Sequence, residues 1–252
     1  MKRGKLFIGT SNVVLPGPKI TFPAEFQTLS RLGYYSMLFN SVELNSTFYK
    51  VPKFRTFERW TSETRPDFKF TVKLTREVTH QKKLFYDTRL IDEFLALSNG
   101  MGDKKGCLLI QFPASITEEY YERVESILRQ VRRHNISPKW LVFVEFRHDS
   151  WYADHVYSML AKLRTAIVLH DKRGSRTPII EGSLPAYYIR FHGPRGDYRG
   201  SYTSDMLEPY AQSICSWINQ RKSVYVYFNN TMGTAFDDAR LLRTMCEAIL
   251  HK

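Results

Sequence analysis

The stretch LVFVEFRH, residues 141–148, decides the fold class of this chain. Glu145 and Arg147 alternate with apolar residues, so an extended strand would turn both charges to one face and the apolar side chains to the other. A strand buried in a parallel sheet is ordinarily apolar on both faces. Here the charges stand at the C-terminal end of the run, which predicts a polar site at that end of the strand.

Six further apolar runs carry polar residues on alternate positions near their C-terminal ends. Glu43 and Asn45 share one parity in the second run, and Arg190 and His192 share one parity in the seventh. Parallel strands bring their C-terminal ends to one edge of a sheet, so we expect all these side chains to line one site. Single polar residues take the same place in four other runs: Lys73, Gln111, Asp171 and Asn229.

Strand-like runs alternate with helix-compatible segments along the whole chain. We predict eight strands, at 5–11, 37–47, 68–75, 106–113, 141–148, 165–171, 186–193 and 223–230. We predict helices at 23–31, 54–64, 88–99, 117–134, 150–163, 204–220 and 234–249. The segment 172–185, rich in glycine and proline, is predicted as a loop.

Eight strand–helix units in 252 residues are typical of a (β/α)8 barrel. We therefore predict a single TIM-type barrel domain over residues 1–252, with a sixth unit that lacks a regular helix. The alternative is an open doubly wound sheet, but no glycine-rich phosphate loop follows the first strand. In a barrel, one parity packs against the helices, and the polar parity faces inward toward the C-terminal mouth. The predicted outward residues are Val42, Leu44, Val72, Leu74, Leu108, Ile110, Val144, Phe146, Ile189, Phe191, Val226 and Phe228.

The overall composition narrows the class of protein. No uninterrupted apolar stretch approaches 18 residues, so no transmembrane helix is expected. The N-terminal residues lack the apolar core of a signal peptide, and we expect a cytoplasmic protein. Cys107, Cys215 and Cys246 are odd in number and widely spaced, so we expect reduced, buried thiols rather than disulfides or a metal knuckle.

The formal net charge of +12 favours an anionic partner, either a small molecule or nucleic acid. Basic residues follow the third, sixth and seventh predicted strands, at the same end as the polar site. The alternative is a solvated basic surface without a specific partner. The residues predicted to contact phosphate or nucleic acid in these loops are Lys82, Lys83, Lys172, Arg173 and Arg195.

Glu43, Glu145 and His192 are the candidate catalytic residues. Two carboxylates at one cavity can act as acid and base or hold a divalent metal, and histidine titrates near neutral pH. The alternative is that each glutamate neutralises a basic neighbour in a structural network. No tight ligand spacing predicts a particular metal, so a divalent cofactor stays open. The candidate substrate-binding residues are Asn45, Lys73, Gln111, Arg147, Asp171, Arg190 and Asn229.

Several of these runs also carry a family signature. VELNSTFY at 42–49, EFRHDSW at 145–151, YIRFHG at 188–193 and YFNN at 227–230 closely resemble the DUF72 family, also called YecE-like proteins. GTS at 9–11, FTVK at 70–73, TH at 79–80 and QFP at 111–113 extend the resemblance over nearly the whole chain. The resemblance implies a TIM-type barrel with a polar pocket at its C-terminal mouth, and it implies no particular reaction.

Three hypotheses for function follow from these patterns. The first is an enzyme that acts on a phosphorylated or other anionic substrate at the mouth. It would be a metal-assisted phosphodiester hydrolase, an isomerase or a glycosidase-like enzyme. The second is a nucleic-acid-binding protein without catalysis, whose basic loops track phosphates. The third is a small-anion sensor or scaffold. The oligomeric state is open.

Overall fold

The computed structural model describes residues 3–136, 139–178 and 186–251. Strands and helices alternate through it as the sequence predicts. The strands are β1 (Leu6–Thr10), β2 (Ser41–Leu44), β3 (Lys69–Lys73), β4 (Lys105–Phe112), β5 (Leu141–Phe146), β6 (Ala166–Ile167), β7 (Leu169–His170), β8 (Ala186–Phe191) and β9 (Ser223–Phe228). The helices are α1 (Arg31–Leu38), α2 (Ser46–Tyr49), α3 (Phe54–Ser62), α4 (Arg76–Thr79), α5 (Arg89–Ser98), α6 (Tyr121–His134), α7 (Asp154–Lys162), α8 (Ser204–Asn219) and α9 (Ala235–Leu250).

The strands form two parallel sheets whose edges meet in the order of a barrel. One sheet has the order β1-β9-β8-β7 and the other the order β2-β3-β4-β5-β6. The sixth predicted strand supplies both β6, which pairs with β5, and β7, which pairs with β8. At the opposite seam, an isolated bridge joins Ser11 to Glu43. The (β/α)8 fold class is therefore confirmed, although the ladder between the two sheets is not continuous.

Side chains replace ladder hydrogen bonds at the seam between β1 and β2. The Asn40 amide donates to the backbone oxygen of Leu6 at 2.7 Å and accepts from the N–H of Ile8 at 2.9 Å. The Tyr35 hydroxyl accepts from the N–H of Thr10 at 2.7 Å. Backbone polar groups inside a protein need partners, so these two side chains satisfy the edge of β1.

Gly9 allows β1 and β2 to approach closely. A Cβ at this position would lie 2.0 Å from the backbone oxygen of Ser41, well inside van der Waals contact. Glycine is the residue that fits where two backbones come this near.

The predicted division of each strand into two faces is confirmed. All the residues predicted to point outward are buried in the layer between the sheets and the helices. A second apolar cluster fills the barrel interior from the opposite parity. Its buried members are Phe7, Cys107, Leu109, Phe143, Val168, Ala186, Tyr188, Tyr225 and Tyr227. The three cysteines are free and buried, as expected.

The predicted helix at 23–31 is wrong. That stretch holds only a short 3-10 turn at Ala24–Phe26, and α1 begins at Arg31. The hydroxyl of Ser30 accepts from the N–H of Gly33 and so caps α1. The predicted strand at 37–47 is too long. Its first two residues belong to the end of α1, and the strand β2 covers only Ser41–Leu44.

Two other predicted helices start later than expected. Residues 118–120 and 149–151 form 3-10 turns, and the α-helices begin at Tyr121 and Asp154. In the sixth unit, residues 172–178 contain no helix or strand, and residues 179–185 lie outside the described part of the chain. Within the part of the chain that the structure describes, no helix is long and apolar enough to cross a membrane.

Candidate functional site

The inward polar side chains meet at the C-terminal ends of the strands, as their parity predicts. Glu43 comes from β2, Lys73 from β3, Gln111 from β4, Glu145 from β5 and Arg190 from β8. All five are buried, with between 0% and 9% of the residue exposed. Charged side chains this deep in a protein need partners, and their pairing determines what each one can do.

Arg190 lies between two buried glutamates, and we call these three residues the Arg190 cluster. Its Nε donates to Glu43 Oε2 at 2.8 Å, and its Nη2 donates to Glu43 Oε1 at 2.7 Å. Its Nη1 donates to Glu145 Oε2 at 2.6 Å. Burial alone would lower the pKa of Arg190, but the two carboxylates raise it well above its usual value. Every guanidinium nitrogen is therefore engaged, which limits the predicted role of Arg190 as an anion clamp.

Glu43 has more hydrogen-bond donors than any other carboxylate at the mouth. Besides Arg190, the hydroxyls of Ser11 and Tyr188 donate to it, the former at 2.6 Å. Burial alone would raise its pKa, but Arg190 and these donors hold it below its usual value. This arrangement fits the structural network that was the alternative to catalysis, and a catalytic role for Glu43 stays a prediction.

Glu145 connects the Arg190 cluster to Arg147. Arg147 Nε donates to Glu145 Oε1, and its Nη2 lies 2.9 Å from His192 Nε2. Burial opposes ionisation of Glu145, but Arg147 and Arg190 hold its pKa well below the usual value. The Arg147 side chain is 11% exposed, so its guanidinium contacts both the buried Glu145 and the solvent at the mouth.

His192 is held in one neutral tautomer. Arginine can only donate, so Nε2 of His192 accepts from Arg147 and the proton lies on Nδ1. Nδ1 faces Asp171 Oδ1 at 3.3 Å, and this carboxylate also accepts from the hydroxyl of Tyr202. Burial is the main cause that lowers the pKa of His192 to about 4. The ring is therefore neutral at pH 7, and its predicted role in proton transfer stays a prediction.

Lys73 is a buried lysine held by a neutral acceptor. Its Nζ donates to Gln111 Oε1 at 2.8 Å and lies 4.0 Å from the centre of the Phe48 ring. Burial lowers its pKa to about 7, with a further contribution from the charge of Arg190. The amide of Gln111 also lies 3.5 Å from Nε2 of His80, whose pKa burial lowers to about 4.

A cleft of about 400 Å³, which we call the mouth cleft, opens above these residues. Lys172 forms part of one wall of this cleft. The Lys172 Nζ donates to Gly196 O at 2.6 Å and lies 4.2 Å from the ring centre of Tyr198. Its lining contains basic and neutral residues but no carboxylate among the described ones: His80, Gln111, Pro113, Ala114, Arg147, Lys172, Arg173, Ser175 and Tyr198.

Tyr198 is held over the mouth cleft in a strained backbone conformation. Its φ is +69°, a region that non-glycine residues rarely adopt. Its N–H donates to His192 O at 2.6 Å, and its hydroxyl lies 3.5 Å from Arg147 Nη1. Strain of this kind often accompanies functional sites, because surrounding contacts must hold it in place.

The remaining predicted site residues lie around this centre. Lys82, Lys83 and Arg195 are exposed and do not belong to the described walls of the mouth cleft. Asn229 is half-buried, and its backbone N–H donates to Phe191 O. Oδ1 of Asn45 is buried and has no hydrogen-bond partner in the described structure. No group of three or more His, Cys, Asp or Glu within the described ranges is placed to hold a metal.

Several partners of the site were not among the predicted site residues, namely Ser11, Phe48, His80, Tyr188, Tyr198 and Tyr202. Tyr188 could have been found, because it shares the parity of Arg190 and His192 on β8. Ser11 follows β1 and Phe48 lies on α2, and their distance in sequence from Glu43 and Lys73 gives no signal of contact. These contacts depend on how the strands and loops pack around the barrel.

The charge state of the site predicts loss of stability in acid. His192 and His80 have pKa values of about 4 in the folded protein, below the ordinary value of 6.5. The stability from their neutral forms is present above pH 6.5 and is lost as the pH falls toward 4. We expect the free energy of unfolding, measured with urea, to fall over this range. In His192→Gln, this fall in the free energy of unfolding should be smaller by on the order of 1–3 kcal/mol.

His251→Gln is the control for this pH series, because His251 is exposed at the end of the chain. Glu43 and Glu145 have lowered pKa values, so their contribution is lost only as the pH falls below about 4.5. If the free energy of unfolding falls equally between pH 6.5 and 4 in His192→Gln and in the native protein, His192 does not cause the loss of stability in acid.

The fold and site define a (β/α)8 barrel protein with a basic cleft at the C-terminal mouth. Residues 7–251 match the family described as "Protein of unknown function DUF72", and the chain belongs to that family. The UPF0759 protein YunF of Bacillus subtilis is 26% identical over 244 residues, which cover 84% of each chain.

Two solved structures share the whole fold. A DUF72 family protein from Enterococcus faecalis has a TM-score of 0.76 and 17% identity, and the match covers 100% of both chains. A DUF72 family protein from Thermotoga maritima has a TM-score of 0.73 and 24% identity, with 98% of this chain and 100% of that chain covered. These similarities show the fold, and the site has to be interpreted from its own residues.

Proposed function

We propose that the protein binds a small anionic ligand, carrying a phosphate or carboxylate group, in the mouth cleft. The observation that carries this proposal is the charge of the lining. Arg147, Lys172 and Arg173 contribute three basic groups, and no carboxylate stands among the lining residues described. Charged donors such as these form strong hydrogen bonds to phosphate and carboxylate oxygens.

Arg147 is the central ligand-binding residue in this proposal. Glu145 fixes its Nε, and His192 and Tyr198 lie against its Nη atoms, so the guanidinium is held before any ligand arrives. Each Nη carries two N–H groups, and the side chain is 11% exposed against 1% for Arg190, so a ligand in the mouth cleft can reach the second N–H of each Nη. A planar guanidinium suits the two oxygens of a phosphate or carboxylate. The Arg190 cluster then acts as support, because Arg190 holds Glu145 in place.

The neutral residues of the lining complete the proposed site. Gln111 and Ser175 offer amide and hydroxyl groups that can bind a sugar or carboxylate oxygen. A cleft of about 400 Å³ fits a ligand of metabolite size. The exposed Lys82, Lys83 and Arg195 lie outside this cleft, so they do not take part in binding a small anion.

Arg147→Met is expected to weaken anion binding at least tenfold. The substitution keeps an unbranched side chain but removes a charged donor, whose hydrogen bonds contribute about 1.5–3 kcal/mol. The measurement is calorimetric titration with inorganic phosphate and with 3-phosphoglycerate. Arg195→Met is the matched control, because the Arg195 side chain is 81% exposed and lies outside the described lining of the cleft. Equal affinity in the native protein and in Arg147→Met would contradict the proposal.

The same titrations separate a small-anion site from a nucleic-acid surface. A short single-stranded DNA that tracks the basic loops would bind with a steep dependence on salt, because several counterions are released. Under the proposal, phosphate binds with a shallow salt dependence and Arg195→Met has no effect. DNA binding that Arg195→Met weakens, without any phosphate binding, would favour the nucleic-acid interpretation instead.

A further inference from the structure

The surroundings of Lys73 differ from those of the two buried arginines beside it, Arg147 and Arg190. Arg147 and Arg190 have carboxylate partners, but no ion pair in the described structure includes Lys73. Its Nζ donates a hydrogen bond to the neutral amide of Gln111, at 2.8 Å. The nearby glutamates are hydrogen-bonded to the arginines, so the amine has positive charges beside it and no carboxylate that binds it directly.

We propose that Lys73 is a nucleophilic amine that forms an imine with the carbonyl carbon of an anionic aldehyde or ketone bound in the mouth cleft. This inference rests on the proposed function, because the anionic group of the ligand is what Arg147 and its neighbours would hold. It adds a substrate class, a small carbonyl compound that carries a carboxylate or phosphate.

The first argument is the position of the amine. Lys73 is the last residue of β3 and points inward at the C-terminal mouth, with 9% of the residue exposed. Gln111 binds its Nζ and also lines the mouth cleft, so the amine stands directly behind that wall. Barrel enzymes place their reactive groups at this end of the strands.

The second argument is the protonation state. An amine attacks a carbonyl only when it is unprotonated, and an ordinary lysine is almost fully charged at pH 7. The Phe48 ring and the Gln111 oxygen favour the charged form. Burial and the charge of Arg190 outweigh them and lower the pKa of Lys73 to about 7. A large share of the amine is therefore neutral at physiological pH.

The reaction balances without any further reagent. The lone pair of Nζ forms a bond to the carbonyl carbon, and the electron pair of the C=O bond moves to the oxygen, which takes a proton. The resulting carbinolamine loses that oxygen as water, and nitrogen and carbon are then joined by a double bond. The amine has given up two protons, both of which leave in the water molecule.

The ligand class follows from the two ends of the site. The basic lining holds the anionic group. Lys73 is not among the described lining residues, so the Gln111 side chain must turn aside for the carbonyl group to reach its Nζ. Both groups must fit in a cleft of about 400 Å³, which suits a compound of a few carbon atoms. Pyruvate and glyceraldehyde 3-phosphate have this chemistry and differ in the anionic group, so they serve as probes.

The test is reductive trapping of the imine. The full-length protein is incubated with each probe and borohydride, which adds hydride to the imine carbon and fixes the ligand to the amine. Intact-mass measurement should show one reduced ligand per chain, and peptide mapping should place it on Lys73. Lys73→Arg keeps a positive charge and cannot form an imine, so labelling should fall at least tenfold.

Lys69→Arg is the matched control. Lys69 lies on the same strand and shares the parity of Lys73, but it stands at the opposite end, where its Nζ donates to Asp103 O. Labelling should be unchanged in this variant. Inorganic phosphate should compete with labelling by glyceraldehyde 3-phosphate. Labelling on any other lysine, or equal labelling of Lys73→Arg, would overturn the proposal.

Calorimetric titration with the same probes, without borohydride, separates the two levels of inference. Binding that depends on Arg147 but gives no trapped adduct would overturn the imine and leave the anion site intact. No binding of either probe or of phosphate would overturn the proposed function, and the imine would fall with it. Trapping that is lost in both Lys73→Arg and Arg147→Met would support both.

Discussion

Replacing Arg190 with methionine is expected to lower the free energy of unfolding by about 3–5 kcal/mol. Methionine has a similar length but no charge, so Glu43 and Glu145 would remain as two buried carboxylates without their common partner. Both glutamates are fully buried, and removing one partner of a buried ion pair leaves an uncompensated charge. The measurement is urea unfolding at pH 7.

The position of Arg190 in the barrel increases this effect. Arg190 lies on β8 in one sheet, while Glu43 and Glu145 lie on β2 and β5 in the other. The three side chains therefore join the two sheets across the barrel interior. Among the described residues, the backbone connects these sheets through the bridge between Ser11 and Glu43 and through the short strands β6 and β7, so the Arg190 cluster contributes directly to closure of the barrel.

Two further variants test that the loss comes from unpaired carboxylates. The triple variant Arg190→Met, Glu43→Gln, Glu145→Gln removes all three charges, and we expect it to recover part of the lost stability. Arg195→Met removes an exposed arginine and should change stability by less than about 0.5 kcal/mol. A loss below about 1 kcal/mol in Arg190→Met alone would contradict the structural role of this residue.

The strand pattern predicted the location of this cluster but not its pairing. Alternation of polar and apolar residues is a local property, so the inward positions of Glu43, Glu145 and Arg190 could be inferred from the sequence. Which carboxylate binds which arginine depends on the order of strands around the barrel. The sequence therefore left open whether the glutamates were catalytic or structural, and the hydrogen bonds of Arg190 favour the structural role.

Local helix signals were less informative at the start of the chain. Pro23 and the residues after it suggested a helix, but the capping hydrogen bond forms at Ser30, where the side chain accepts from Gly33. The packing of Tyr35 against β1 then fixes α1 at Arg31–Leu38. Tertiary contacts of this kind determine where a helix begins and override local preference.

The mouth cleft itself could not be predicted from strand pattern. Its walls include Tyr198, Lys172, Arg173 and Ser175, which lie in loops without periodic sequence. Tyr198 reaches its place through a backbone conformation that no residue preference indicates for tyrosine. The basic residues of these loops predicted an anionic partner, but only the structure separates Lys172 and Arg173 in the cleft from Lys82 and Lys83 outside it.

Trp151→Ala is expected to lower the free energy of unfolding by about 3–5 kcal/mol, as large-to-small changes at buried aromatic positions do. Trp151 is fully buried and stacks on Phe146 with ring centres 4.3 Å apart. Its Nε1 donates to Ile116 O at 2.7 Å. The measurement is urea unfolding. Trp60→Ala, at a half-buried position on α3, should lower the free energy of unfolding by less than Trp151→Ala does.

A second substitution at Trp151 links this packing to the mouth cleft. Trp151→Phe keeps an aromatic ring against Phe146 but leaves the buried Ile116 carbonyl without its donor, at a cost of about 1–3 kcal/mol. The hydrogen bond from Trp151 to that carbonyl holds the loop after β4 in place, and Pro113 and Ala114 of this loop line the cleft. We therefore expect Trp151→Phe to remain folded and to bind phosphate severalfold more weakly.

The two Trp151 variants distinguish support of the cleft from general stability. If the loop after β4 positions the cleft wall, phosphate affinity falls in Trp151→Phe at temperatures where the protein is fully folded. If Trp151 acts only through stability, affinity in Trp151→Phe equals that of the native protein under those conditions. Because Phe146 lies between Glu145 and Arg147 in the sequence, movement of its ring would also shift the guanidinium that we place at the centre of the anion site.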